Sequence, residues 1–309
     1  MYIRTSEGSV RGTMQYSLGE PTASAREAER RFKRVADLVT KGLKLAKSAI
    51  PQLSTHQQEL LGFMMSPLEN FFPRGHGLVD AQGKVLRQSQ PATVMVPVLA
   101  KDGSRWPFEH RVRLYLTDQI PDRTVRGQHL TGIFSSIRLF ARALHDAPPR
   151  SAVLVALHEM THMMFAMIKR FEQRFGAETA TRFLSRQPWR MLVLSGFATH
   201  RQRLEAHVRE LLRVLPIPMQ SAELAASLVE EAFAYVFGDV VDEAIARLSR
   251  GPVLSGGLSP EQFIRDYVLE RGFNVTAQQL KSAAVQQIFQ RMTGDVAALA
   301  AALRAHIDG

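Results

Sequence analysis

The 309-residue chain contains no cysteine. No disulfide or thiolate metal site can hold any part of it, so a metal ion would have to be bound by His, Asp or Glu. The absence fits a reducing compartment, and cytoplasmic synthesis is the expectation. The first 21 residues, MYIRTSEGSVRGTMQYSLGEP, also lack an apolar h-region. Export would then need a route independent of a signal peptide. There is no Lys/Arg block and no arginine-glycine tract, although the formal net charge is +10. Dispersed charge of that size predicts attraction to acidic partners such as nucleic acid, anionic lipid or acidic protein, but marks no dedicated binding element. Internal repeats and low-complexity segments are missing too. Only residues 152–168 approach the length of a membrane span. They carry His, Glu, Thr and His at mid-depth and no second span accompanies them, so they are expected to be the buried spine of a soluble domain.

What is present is ordinary globular composition, 45% hydrophobic and 22% charged, enough for one large domain or two lobes. Residues 23–50 place Phe32, Val35, Val39, Leu43 and Ala46 at three- and four-residue spacing, which predicts an amphipathic helix. A second helix is expected at 56–70. The texture then changes: GLVDAQGKVL reads as a hairpin, and ATVMVPVLA (92–100) and HRVRLYLT (110–117) read as strands, with HLTGIF (129–134) a weaker one. After Ser136 the pattern is helical: IRLFARALH, then a helix capped by Ser151 and running to about Phe171, then segments at 176–186, 197–215, 220–248, 259–270 and 276–306. This is an α+β chain. Its expected division is a helical leader region over 1–75, a strand-bearing upper lobe over 76–171 and a helical lower lobe over 172–309.

Within the apolar run, LVALHEMTHMMF (154–165) carries two imidazoles and a carboxylate. Burying such groups unpaired costs on the order of 2–7 kcal/mol each. Positions four apart share one face of a helix, so His158 and His162 can both turn a ring nitrogen to one ion. Glu159 points about 100° away, too far round to be a convenient ligand but within reach of a water on the metal. This is the HExxH zinc-peptidase pattern, with two His ligands and Glu159 as general base.

A catalytic zinc site needs a third protein ligand. HExxHxxGxxH is excluded, because Phe165 and Ile168 stand where its Gly and third His would be. A Gly-Thr-x-x-Asp ligand finds only Gly238-Asp239-Val240-Val241-Asp242, without the Thr. The segment SLVEEAFAYVF (227–237) offers Glu230 and Glu231 in an otherwise apolar helix, where one can face the core and the other solvent or a partner.

Here the sequence resembles the gluzincins, zinc metallopeptidases with HExxH and a remote glutamate ligand. Glu231-Ala232-Phe233-Ala234 is similar both to the Asn-Glu-Ala-x-Ser-Asp of thermolysin-like members and to the Glu-x-Phe-Ala of toxin-type members. The resemblance implies Zn²⁺ held by His158, His162 and Glu231, a zincin-like fold, and endopeptidase activity on a polypeptide substrate. It also permits a toxin or effector role. The family's acidic residue one turn after the ligand, which orients a zinc-bound His, is Tyr235 here. The substrate strand is expected to add to a sheet edge supplied by 110–117 or 129–134. His200, His207, Tyr235 and Tyr267 are the candidates for oxyanion stabilisation, with a surface or interface position the simpler expectation for each. The competing expectation is a basic helical binding protein, for nucleic acid or an anionic surface, with a structural or inactive HExxH site.

Overall fold

A computed structural model of the chain describes residues 23–99, 105–120, 126–130, 135–179, 197–215, 219–270 and 276–308. Helix α1 (Ala23–Ala49) buries the predicted stripe of Phe32, Val35, Val39, Leu43 and Ala46. A 3-10 turn at Ile50–Gln52 leads to α2 (Thr55–Phe71), which starts where the sequence supplies a capping box. There the Ser54 hydroxyl accepts from the Gln57 amide N–H, and the Gln57 side chain accepts from the Ser54 N–H.

Six strands form one mixed sheet: β1 (Gly77–Val79), β2 (Val85–Arg87), β3 (Ala92–Leu99), β4 (Arg105–Thr117), β5 (Gly127–Leu130) and β6 (Ser135–Phe140). Their order is β2-β1-β4-β6-β5, with β3 also paired to β4. The β1–β4 and β4–β6 pairs are parallel and the others antiparallel. The predicted hairpin is β1–β2, turned at Asp80, whose carboxylate accepts from the Gln82 and Lys84 amides, and at Gly83 with φ +87°. On β4 the expected alternation holds in part: Val112, Leu114 and Leu116 are fully buried, Arg111 is exposed and Arg113 half-buried, but Tyr115 is buried, its ring against Gly77.

One helical expectation is overturned. Residues 135–140 of the segment read as helical form β6, and only α3 (Ala141–Leu144) is helix. Ser135, Ile137 and Leu139 are all fully buried, a period of two set by pairing with Val112–Thr117 of β4. So short an apolar run does not distinguish strand from helix by itself.

Helix α4 (Pro149–Phe175) is the buried spine. Ser151 does not cap it. The N-cap is Pro148 and Pro149 fills the first turn, where a missing N–H costs nothing. It is the one described helix long and apolar enough to cross a membrane, but two thirds of its most apolar window lies inside the protein. At Gly42 the α1 backbone comes so close to the Pro149 carbonyl and Val153 that no Cβ fits.

The second half is helical, as predicted: α5 (Ala198–Val214), α6 (Ser221–Ser249), α7 (Pro260–Glu270), α8 (Ala277–Leu280) and α9 (Ala283–Asp308). The helix predicted over 276–306 is divided at Lys281 and Ser282, where the Ser282 hydroxyl accepts from the Val285 N–H and opens α9. The helix expected at 176–186 extends outside the described residues. The architecture is thus a strand-bearing lobe, one central helix and a mostly helical lobe.

Helices α4 and α6 pack antiparallel. Arg150 near the start of α4 meets Asp242 late in α6, and Lys169 late in α4 meets Glu230 early in α6. Between these two ends lies the candidate site.

Candidate metal centre and active site

Helix α4 presents His158 and His162 one turn apart, and α6 presents Glu231 opposite them. His158 Nε2 lies 3.0 Å from Glu231 Oε1, and His162 Nε2 lies 3.1 Å from Glu231 Oε2. The two Nε2 atoms are 3.3 Å apart. All three side chains keep 14–20% exposure, so the cluster sits at the rim of the core rather than sealed within it.

Carboxylate oxygens and neutral imidazole nitrogens are all lone-pair acceptors. Three of them facing one another require a proton or a cation between them. In a tetrahedral shell with bonds of about 2.0–2.1 Å, neighbouring ligand atoms are about 3.3 Å apart. The two Nε2 atoms, 3.3 Å apart, match that spacing, and each lies 3.0–3.1 Å from a different oxygen of the Glu231 carboxylate. The donor set therefore fits a metal ion with two His and one carboxylate. This is the active-site geometry of a gluzincin-type zinc protease.

No family model, curated protein or solved structure matches the chain, so the gluzincin-type geometry is read from its own atoms.

Glu230 and Glu231, left open by the residues alone, are separated by the fold. Glu230 is held by Lys169 of α4 at 2.5 Å, whereas Glu231 is the one that meets the imidazoles. Burial opposes the charge of Glu231, but His158 and then His162 outweigh it and hold the carboxyl well below the ordinary carboxylate range. His158 is raised despite its own burial, chiefly by Glu231. Asp242, the weaker candidate ligand, is fully buried and fully engaged. It accepts from Arg150, from the Leu254 and Ser255 amides at 2.7 Å each, and from the Ser255 hydroxyl at 3.0 Å.

Glu159 is buried on a different side of α4 from the imidazoles, against β5. The Gly127 backbone rests on it so closely that a Cβ there would lie 2.7 Å from Glu159 Oε1. Of the two strands offered as the sheet edge, β4 is interior and β5 is terminal, so the edge next to Glu159 is β5. Residues 131–134 of the predicted strand lie outside the described residues.

Tyr235, one turn after Glu231, sets its ring edge-on to His158 with centroids 5.1 Å apart. An aromatic row continues through Phe263 to Tyr267, at 5.8 and 5.7 Å. Of the other oxyanion candidates, His207 pairs with Asp295 of α9 at 2.8 Å, at a helix interface, and Tyr267 is buried. His200 lies on the same helix as His207, with Nδ1 buried.

The sequence did not single out Gly127 or His129 of β5. His129 shares the face of Gly127 that is turned to α4. Burial first, then the neighbouring His162, His110, Arg170 and Lys169, push its pKa down to about 3. The weak strand read over 129–134 included His129 and was offered as a sheet edge, but a strand so short gives no period that marks which of its side chains face α4.

Proposed function

We propose that the protein is a zinc-dependent metalloendopeptidase acting on polypeptides in the cytoplasm where it is made. The convergence of His158, His162 and Glu231 on a spacing suited to a tetrahedral ion carries this reading. The cysteine-free, two-His, one-carboxylate donor set suits Zn²⁺ among the common divalent ions. Bound there, zinc supplies Lewis-acid activation of a water and of the peptide carbonyl.

The remaining work falls to the chain. Glu159 takes the proton of the attacking water and returns it to the leaving amine, a role that suits a carboxylate adjacent to the ligands but not among them. The outer edge of β5, which pairs with no strand among the described residues, offers backbone N–H and C=O groups on which an extended peptide can pair, laying its scissile bond over Glu159. Glu231 and the imidazoles hold the ion in place. Tyr235, packed against His158, restrains that ring.

Metal analysis of protein purified without added zinc, together with peptide hydrolysis by wild type and Glu159→Gln, tests the proposal. The expected result is about one zinc per chain in both proteins, with turnover lower in the variant by about 10²–10⁴. A folded, metal-free wild type, or a variant as active as wild type, overturns it.

A further inference from the structure

Beyond the candidate ligands and the general base, α4 carries a basic side chain that no acid pairs with among the described residues. Arg170 lies on α4 eight positions after His162 and is half-buried. It has no hydrogen-bond or ion-pair partner among the described residues. Its basic neighbours on α4 differ: Lys169 is paired with Glu230 and Arg174 lies over the Phe175 ring. A guanidinium carries five donors, and burying part of it without an acceptor is unfavourable.

Two further nitrogen atoms beside it are also unmet. His129 Nε2 and His110 Nδ1 are buried with no hydrogen-bond partner. His110 is anchored at its other nitrogen, with Nε2 2.8 Å from Ser135 Oγ. Both rings stand on the face of the sheet turned to α4. His129 is in register with Ile137, and His110 lies two residues before Val112, which is in register with Ser135. Arg170 acts electrostatically on both imidazoles, and His129 also feels His162 of the metal site.

We propose that Arg170 forms a carboxylate-binding subsite that selects peptides carrying Glu or Asp near the scissile bond. Eight helical positions span about 12 Å, which is three to four residues of an extended peptide. The acidic side chain therefore falls within about four residues of the cleaved bond. A guanidinium takes a carboxylate through two parallel N–H···O bonds, which an amide of equal shape cannot match. The net charge of +10 draws acidic polypeptides to the protein over a longer range. This inference rests on the peptidase reading and specifies its substrate class.

A proteome-derived peptide library, digested by wild type, Arg170→Ala and Arg170→Glu and read by mass spectrometry, tests it. Wild type is expected to enrich Glu and Asp about tenfold at one or two positions within four residues of the cut. Arg170→Ala loses that enrichment, and Arg170→Glu turns it toward Lys and Arg, both with zinc content and melting temperature unchanged. A second readout needs no turnover. Zinc-loaded Glu159→Gln protein binds the best-cleaved peptide about tenfold more tightly than its Gln-for-Glu counterpart, by calorimetry, and Arg170→Ala in that background removes the difference. Cleavage by wild type with no acidic preference overturns the subsite and leaves the peptidase standing. Absence of any cleavage by zinc-loaded wild type overturns the peptidase reading, and the subsite with it.

Discussion

Two carboxylates on one helix, Glu231 and Asp242, face the same neighbour, α4, and meet opposite chemistry there. Asp242 is surrounded by donors: the Arg150 guanidinium, two backbone N–H groups and a hydroxyl. Both oxygens accept protons the chain already carries, and the result is a clamp between α4, α6 and residues 252–255. Glu231 is surrounded by imidazole nitrogens, which are acceptors when neutral. A carboxylate among donors is complete. One among imidazoles can share a metal ion with them, and that difference separates a structural buried charge from a candidate metal ligand.

The largest effect should come from removing Glu231. Glu231→Ala is expected to lower bound zinc from about one per chain to a small fraction of that and to cut hydrolysis by about 10³ or more. Chelation should lower the melting temperature of wild type and leave that of the variant unchanged, since binding stabilises only a chain that binds. Elemental analysis and thermal melts check both. A Glu231→Ala variant that keeps its zinc would dissolve the contrast.

Asp242→Ala should act on folding instead. It strands the buried Arg150 guanidinium and is expected to cost about 3–5 kcal/mol in denaturant unfolding. The surviving folded fraction should bind zinc normally. A loss below about 1 kcal/mol would mean that Arg150 finds other acceptors, of which the Pro252 carbonyl at 2.8 Å is one.

A smaller effect tests buried imidazoles that lack a carboxylate. Burial first, then Arg87 for His76 and Arg170 for His110, hold both rings down to about 4. In the unfolded chain they titrate near 6.5. Between those values the unfolded state binds more protons, so stability is complete above about pH 6.5 and is lost as pH falls toward 4. The loss is on the order of 2 kcal/mol per ring. His110→Gln should flatten its share of the slope in unfolding measured at pH 7, 6 and 5.

Much of the site was legible because it depends on local spacing. His158, Glu159 and His162 need only the helical period; the unexpected charges in an apolar helix pointed to Glu230 and Glu231 together, and only the gluzincin resemblance favoured Glu231. What was hidden depends on pairing between distant strands. Residues 135–140 became a strand through β4, some twenty positions away, although their short apolar run also suits a helix. Gly127 and His129 entered the site only because β5 ends the sheet beside α4. The Arg150–Asp242 clamp was hidden for the same reason: Asp242 read as a spare ligand until its partner, 92 positions earlier, was visible.

Gly127 has one more consequence. With no side chain on it, the border strand can settle directly onto the base, and its main chain becomes a fixed gauge for the height of a peptide laid alongside. That height is the same whatever amino acids the peptide carries, because main-chain pairing ignores them. Under the proposed pairing with β5, bond breaking is therefore indifferent to sequence at its centre, and discrimination among targets falls to side chains away from the cut.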